Sequence, residues 1–215
     1  VEIKGTVAIV TGAARGIGQA TAVALAREGA LAIILVDVKE KELLETASQV
    51  EKLGAQAVKS CTDVGDLESL RKLFADTQQQ FGRLDILHNN AGLGEGNAEW
   101  PEVSPERSVA IIDVNLRGVI LGTQLALEVM KNSGGGVIIN TASGGAFVPL
   151  PPQAVYVATK AGVVHFTRSC EPLAQAYGVR VNCVCPGLVD TDMVRETGNG
   201  QWQIGCNLWQ HRFSF

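Results

Sequence analysis

Along the chain, short apolar runs alternate with longer stretches in which apolar residues recur every three or four positions. The runs at 6–10, 32–36, 56–61, 84–88, 137–140 and 179–184 predict six strands. The stretches 16–28, 40–53, 67–81, 105–130 and 153–177 carry helical spacing. Strand and helix in alternation predict an α/β fold: three layers, with a doubly wound parallel sheet of six strands and helices on both faces. The strands show little polar alternation, as expected of strands covered on both sides.

Punctuation sets several boundaries. Ser104 is placed to cap a helix that has Pro105 at its first position, and Gly29, Gly54, Gly82 and Gly178 each follow a helical run where a left-handed residue is wanted. Gly134, Gly135 and Gly136 read as a flexible turn into a strand, since no helix follows them. Pro172 lies inside the last helical stretch, where it lacks an amide and crowds the carbonyl of Arg168, so a kink or break is expected there.

Length and composition narrow the class. A chain of 215 residues, 46% hydrophobic and 19% charged, is enough for one core without disulfides or metals. We read 1–191 as one domain and 192–215 as a tail of that domain. A net charge of −4 supplies no basic field, which argues against nucleic-acid or membrane partners. Apolar stretches such as 31–36 fall far short of a bilayer span, residues 1–6 do not resemble a signal segment, and a soluble cytoplasmic protein is expected. The five cysteines, Cys61, Cys170, Cys183, Cys185 and Cys206, suit a reducing compartment. Cys183 and Cys185 would share one strand face as small buried hydrophobes.

Two groups of residues carry chemistry. The first strand runs into Thr11, Gly12, Ala13, Ala14, Arg15, Gly16, Ile17 and Gly18, and then a helix. Glycines there let backbone amides approach a pyrophosphate at the positive end of the helix. Asp37 at the end of the second strand is placed to accept both ribose hydroxyls, and the combination points to a dinucleotide. A carboxylate would repel a 2′-phosphate, so NAD is expected over NADP, although Arg15 and Lys39 are nearby cations. The second group is Ser143, Tyr156 and Lys160. Tyr156 and Lys160 are one helical turn apart, and Ser143 follows a strand at the carboxyl end of the sheet. A nearby ammonium and an oxidised nicotinamide would both favour the phenolate.

These residues, in this order, resemble the short-chain dehydrogenase/reductase family from Gly5 to about Thr191. The resemblance rests on the glycine turn, Asp63-Val64, Asn89-Asn90-Ala91-Gly92, Asn115, Ser143, Tyr156-Val157-Ala158-Thr159-Lys160, and Pro186-Gly187 followed by Thr191. It implies a Rossmann-type fold and an NAD-dependent oxidoreductase that interconverts a secondary alcohol and a ketone by hydride transfer. Tyr156 would be the general acid/base and Ser143 would hold the substrate oxygen. Lys160 would bind the nicotinamide ribose and lower the tyrosine pKa, and Asn115 would support a water leading to a proton relay. Gly12, Arg15, Gly16, Ile17, Gly18, Asp37, Asp63, Val64, Asn90, Ala91, Gly92, Pro186, Gly187, Val189 and Thr191 would line the cofactor, Asp63 and Val64 beside the adenine and Thr191 at the carboxamide.

Within the family the sequence looks most like the NAD-dependent hydroxyprostaglandin dehydrogenase branch, on Gln153 before Tyr156 and on 162–168. Gln153 either offers its amide to the substrate hydroxyl or is an ordinary N-terminal helix residue. His88 and His165 have no partner at ligand spacing, so no metal is expected. The glycines at 92, 94 and 96 read as a flexible wall beside the cofactor. The resemblance implies a homodimer formed through 105–130 and 153–177. The ending, with Trp202, Trp209, Phe213 and Phe215, departs from the family pattern and reads as truncated, which would expose the sixth strand as an edge. That leaves a second reading, a catalytically weak form that binds a dinucleotide or a partner.

Overall fold

A computed structural model describes residues 2–96 and 98–192. Six parallel strands form one sheet: β1 (Val7–Thr11), β2 (Ala32–Asp37), β3 (Gln56–Cys61), β4 (Ile86–Asn89), β5 (Gly136–Thr141) and β6 (Val179–Val184), in the order β3-β2-β1-β4-β5-β6. The order reverses between β1 and β4, so a crevice opens there beyond the carboxyl ends of the strands. All six predicted strands are present, with shifts of one or two residues for four of them.

Helices α1 (Gly16–Arg27) and α2 (Leu43–Lys52) cover one face. Ala22, Leu25, Leu43 and Val50 pack there against Ala8, Val10, Ile33 and Leu35. The alternate residues Val7, Ile9, Ile34 and Val36 point to the other face, where they meet α3 (Leu67–Phe81) and α5 (Gly118–Met130). β1, β2 and β4 are buried along almost their whole length because both their faces are covered, and β1 and β2 are apolar up to their last residue. β3 and β6 mix exposed and half-buried residues because they are the sheet edges.

The stretch 105–130 is not one regular helix. It runs as α4 (Pro105–Ile112), a π-helical turn (Asp113–Arg117) and α5. Ser104 caps α4 from its side chain, with Pro105 in the first turn. At 26 residues this continuous run is long and apolar enough by length and composition to cross a bilayer. Its Ile111, Val119, Ala126 and Met130 are buried, however, and the Asn115 side chain is enclosed within it. It packs as a core helix.

The last helical stretch breaks where Pro172 was expected to break it, giving α6 (Ala154–Ser169) and α7 (Leu173–Tyr177). Gly29, Gly54, Gly82 and Gly178 all adopt positive φ. Cys183 and Cys185 depart from expectation: Cys183 is half-buried, and Cys185 is exposed just beyond the end of edge strand β6. The expectations for the tail beyond Asp192 lie outside the described residues.

Candidate active site

The dinucleotide end is built from β1, β4 and the start of α1. Thr11 Oγ1 accepts the N–H groups of Asn90 (2.8 Å) and Ala91 (3.0 Å), and Asn90 Nδ2 donates to Thr11 O (3.0 Å). The turn after β1 is thereby pinned to the loop after β4. A Cβ on Gly18 would lie 2.1 Å from Gly12 O, so only glycine allows this approach. No side chain caps α1, whose N-cap Arg15 is extended and whose first turn holds no acid. The Asp66 side chain, in contrast, caps α3. A helix start with its amide end left to the crevice, held close by glycine, fits a pyrophosphate.

Asp37 ends β2. Its Oδ2 accepts Ala14 N–H (3.1 Å) and its Oδ1 accepts Lys39 N–H (3.1 Å), which fixes the carboxylate beside the turn while each oxygen keeps acceptor capacity. Thr191 packs against Gly16, where an added Cβ would meet its methyl at 3.2 Å. Asp192 pairs with Arg15 at 3.1 Å. The chain segment after β6 is thus brought back over the glycine turn.

The second group converges next to it. Ser143 Oγ accepts Gly145 N–H (3.1 Å), and its hydroxyl lies close enough to the Tyr156 phenol to act on its pKa. Lys160, 3% exposed, has its Nζ 5.7 Å from the centre of the Tyr156 ring and donates to Thr141 O at 2.7 Å. Burial pulls the Lys160 pKa down to about 8. For Tyr156, burial raises the pKa, the nearby Ser143 hydroxyl opposes the rise, and the Glu95 charge adds to it. The net push is toward the protonated phenol, because desolvation outweighs the Ser143 contribution.

One cavity of about 530 Å³ joins the two groups. Gly12, Arg15, Gly16, Ile17, Asp37, Asp63, Val64, Asn90, Ala91, Gly92, Ser143, Tyr156, Lys160, Pro186, Gly187, Val189 and Thr191 all line it. Of the expected cofactor residues, Gly18 alone stands behind the lining, as a spacer. Asn115 and Gln153 are not on the wall. Asn115 sits in the π-helical turn, where its Oδ1 accepts Leu93 N–H (2.7 Å) and its Nδ2 donates to Leu93 O (2.8 Å) and Thr159 Oγ1 (3.3 Å). It clamps the loop after β4 onto α6. A Cβ on Gly92 would lie 3.4 Å from Asn115 Oδ1 and 3.6 Å from Lys160 Nζ, so the two side chains meet at this glycine. Gln153 closes the 3₁₀ turn that leads into α6 and provides no side-chain cap.

Sequence reasoning missed two contributors. Thr141 takes the Lys160 ammonium on a carbonyl that any residue type would supply, so no sequence signal marks it. Glu95, within Gly94-Glu95-Gly96, is buried against Tyr156 and could have been flagged as a lone acid in a glycine-rich loop. Among the described residues, no group of three or more metal-ligating side chains occurs.

His88 is packed in the core, with its Nε2 2.9 Å from Thr141 Oγ1. Burial lowers its pKa to about 4. Between pH 4 and 6.5 the unfolded chain binds a proton there that the folded chain does not, so stability falls as pH drops through that window. From neutral pH to pH ~4.5 this group removes about 2–3 kcal/mol of stability. His88→Leu is expected to flatten that part of the pH dependence, read as urea midpoints; an unchanged slope would contradict the assignment.

Comparison with known proteins agrees with the geometry. The short chain dehydrogenase family matches residues 6–202. The mouse (Mus musculus) 15-hydroxyprostaglandin dehydrogenase [NAD(+)] is 40% identical over 216 residues, covering 93% of this chain and 75% of that protein. The crystal structure of carveol dehydrogenase from Mycobacterium avium in complex with NAD superposes with a TM-score of 0.84 at 34% identity, over 90% of this chain and 74% of that one. A metagenomic short-chain oxidoreductase in complex with NADP gives a TM-score of 0.81 at 30% identity, over 88% and 85%. Both structural neighbours hold a nicotinamide dinucleotide. This protein belongs to the short-chain dehydrogenase family and is an oxidoreductase that acts on CH–OH groups with a nicotinamide cofactor.

Proposed function

We propose that this protein is an NAD-dependent oxidoreductase that interconverts a secondary alcohol and its ketone, with Tyr156 as the general acid/base. The observation that carries this reading is the meeting of Ser143, Tyr156 and Lys160 in the same cavity as the glycine turn and Asp37. The cofactor, when bound, supplies the hydride acceptor and, in its oxidised form, a positive ring charge. Tyr156 takes the hydroxyl proton of the alcohol, or returns it to the carbonyl in the reverse direction. Ser143 holds the substrate oxygen beside the phenol. Lys160, fixed by Thr141 O, stands against Gly92 on the ribose side and adds positive charge that favours the phenolate. Gly12, Gly16 and the opening amides of α1 would hold the pyrophosphate.

Asp37 supports NAD over NADP, because a carboxylate at the end of β2 would repel a 2′-phosphate. The names of the mouse relative, which takes NAD(+), and of carveol dehydrogenase support a secondary alcohol as substrate class. Four free thiols among the described residues support a reducing compartment such as the cytoplasm, and exposed Val109 and Ile112 on α4 support pairing as a homodimer. We take 1–191 as the catalytic domain.

NADH formation with a panel of secondary alcohols tests the reading, alongside a thermal shift with NADH. A shift without turnover on any alcohol, or reduction of any ketone, overturns the catalytic part and favours a binding form. Asp37→Ala is expected to weaken NAD by tenfold or more while changing NADP affinity less, because the ribose hydroxyls lose their acceptor. Isothermal titration with both cofactors checks this, and equal losses would remove Asp37 from the ribose site.

A further inference from the structure

Glu95, on the loop between β4 and α4, meets the same tyrosine from outside its helix. Its Oε1 accepts the backbone N–H of Tyr156 at 2.9 Å. Its Oε2 is buried without a hydrogen-bond partner, and the residue is 4% exposed. α6 has no side-chain cap of its own at Gln153, so the carboxylate caps it from a neighbouring segment, where the helix dipole favours negative charge. The loop is fastened on both sides. Arg107 on α4 donates to Gly94 O, and Trp100 N–H donates to Pro152 O at 3.0 Å. A neutral amide oxygen could also accept the Tyr156 N–H, and the helix dipole offsets only part of the cost of a buried carboxylate oxygen without a partner. The charge thus has room for a role beyond holding the helix.

We propose that Glu95 is a positioning residue for the acid/base step: it ties the first turn of α6 to the loop after β4, and its unpartnered carboxylate oxygen biases Tyr156 toward the protonated, proton-donating form. This rests on Tyr156 being the acid/base. Lys160 on α6 stands 5.7 Å from the centre of the Tyr156 ring, and the Ser143 hydroxyl after β5 and the Glu95 carboxylate are the other groups that act on the phenol. Arg107 on α4 reaches the loop at Gly94, and the Cys185 thiol beyond β6 lies near the backbone of Ser143. A carboxylate beside a phenol disfavours the phenolate, in line with the upward push that Glu95 exerts on Tyr156. Ketone reduction uses the phenol and alcohol oxidation the phenolate. Glu95 therefore places both the acid limb of oxidation and the basic limb of reduction at higher pH.

The chain has two tyrosines, Tyr156 and Tyr177, so phenolate absorbance of the protein without cofactor resolves one site once a Tyr156→Phe curve has defined the other. Glu95→Gln keeps an acceptor for the Tyr156 amide and removes the charge. Its Tyr156 midpoint is expected to fall by about one pH unit, and the acid limb of kcat/KM for alcohol oxidation should move with it. Glu95→Ala, in which water replaces the cap, is expected to shift the midpoint the same way and serves if the glutamine variant folds poorly. Wild-type midpoints in these variants, even with a lowered Tm, reduce Glu95 to a structural cap and overturn the proposal; so does an upward shift. If Tyr156→Phe turns over like the wild type, the acid/base reading fails instead, and the titration still reports whether Glu95 acts on the phenol.

Discussion

Tyr156→Phe lowers kcat for alcohol oxidation by about 10³-fold and leaves NADH binding nearly intact. The magnitude is what a positioned acid/base group typically contributes. The substitution removes one oxygen atom and keeps the ring that lies beside Lys160. Lys160 stays fixed because its ammonium is bonded to Thr141 O, not to the phenol. The glycine turn and Asp37 lie at the other end of the cavity and do not touch the change. Ser143 keeps the Gly145 N–H, so it remains available to the substrate oxygen. The loss should therefore fall on kcat and kcat/KM together, with little change in the NADH thermal shift. A variant with activity within tenfold of wild type would show that the proton goes elsewhere.

The parts of this site that could be read from the sequence are those whose chemistry requires a particular residue type. Gly12 and Gly18 stand where backbone approaches backbone too closely for a Cβ, and Gly16 has a positive φ with the Thr191 methyl against it. Asp37, Ser143, Tyr156 and Lys160 carry functional groups that few residue types supply. Gly178 and Pro172 were legible for the same kind of reason: the backbone needs a left-handed residue at one and cannot continue a helix through the other.

What could not be read depends on contacts between distant segments. The helical periodicity of 105–130 conceals the π-helical turn, because an inserted residue in one turn barely alters the apolar spacing on either side. That turn contains Asn115, whose side chain is spent on Leu93 and Thr159. Its partners could not have been assigned without the fold. Glu95 was hidden for the same reason, since its partner Tyr156 lies 61 residues away. Cys183 and Cys185 were expected to be buried from strand alternation alone. Burial depends on which strand lies at the edge, which the local pattern does not encode.

Gly18→Ala tests the other end of the site with a single methyl group. The added Cβ would stand 2.1 Å from Gly12 O and 2.7 Å from Asn90 Nδ2, inside any allowed contact. Neither neighbour yields easily. Gly12 has φ of +65°, and its own Cβ position is 2.9 Å from Ala91 Cα, so the turn has no room to retreat toward β4. Asn90 and Ala91 are tied to Thr11 by three hydrogen bonds. The strain must move the start of α1 outward, and its opening amides move with it. Overpacking of this kind costs about 1–3 kcal/mol, which lowers Tm by roughly 2–12 °C for a domain of this size. Cofactor affinity suffers more than stability, because pyrophosphate recognition needs several amides aimed at one place. NADH binding is expected to weaken by about 100-fold, equivalent to roughly 2.7 kcal/mol, with the circular dichroism of the helices and sheet preserved. Tyr156→Phe and Gly18→Ala then separate the two functions of the cavity: the first binds NADH and turns over far more slowly, and the second folds and binds NADH far more weakly. If Gly18→Ala instead bound NADH like the wild type, the glycine turn would be a tight corner between β1 and α1 and the dinucleotide would have to lie elsewhere.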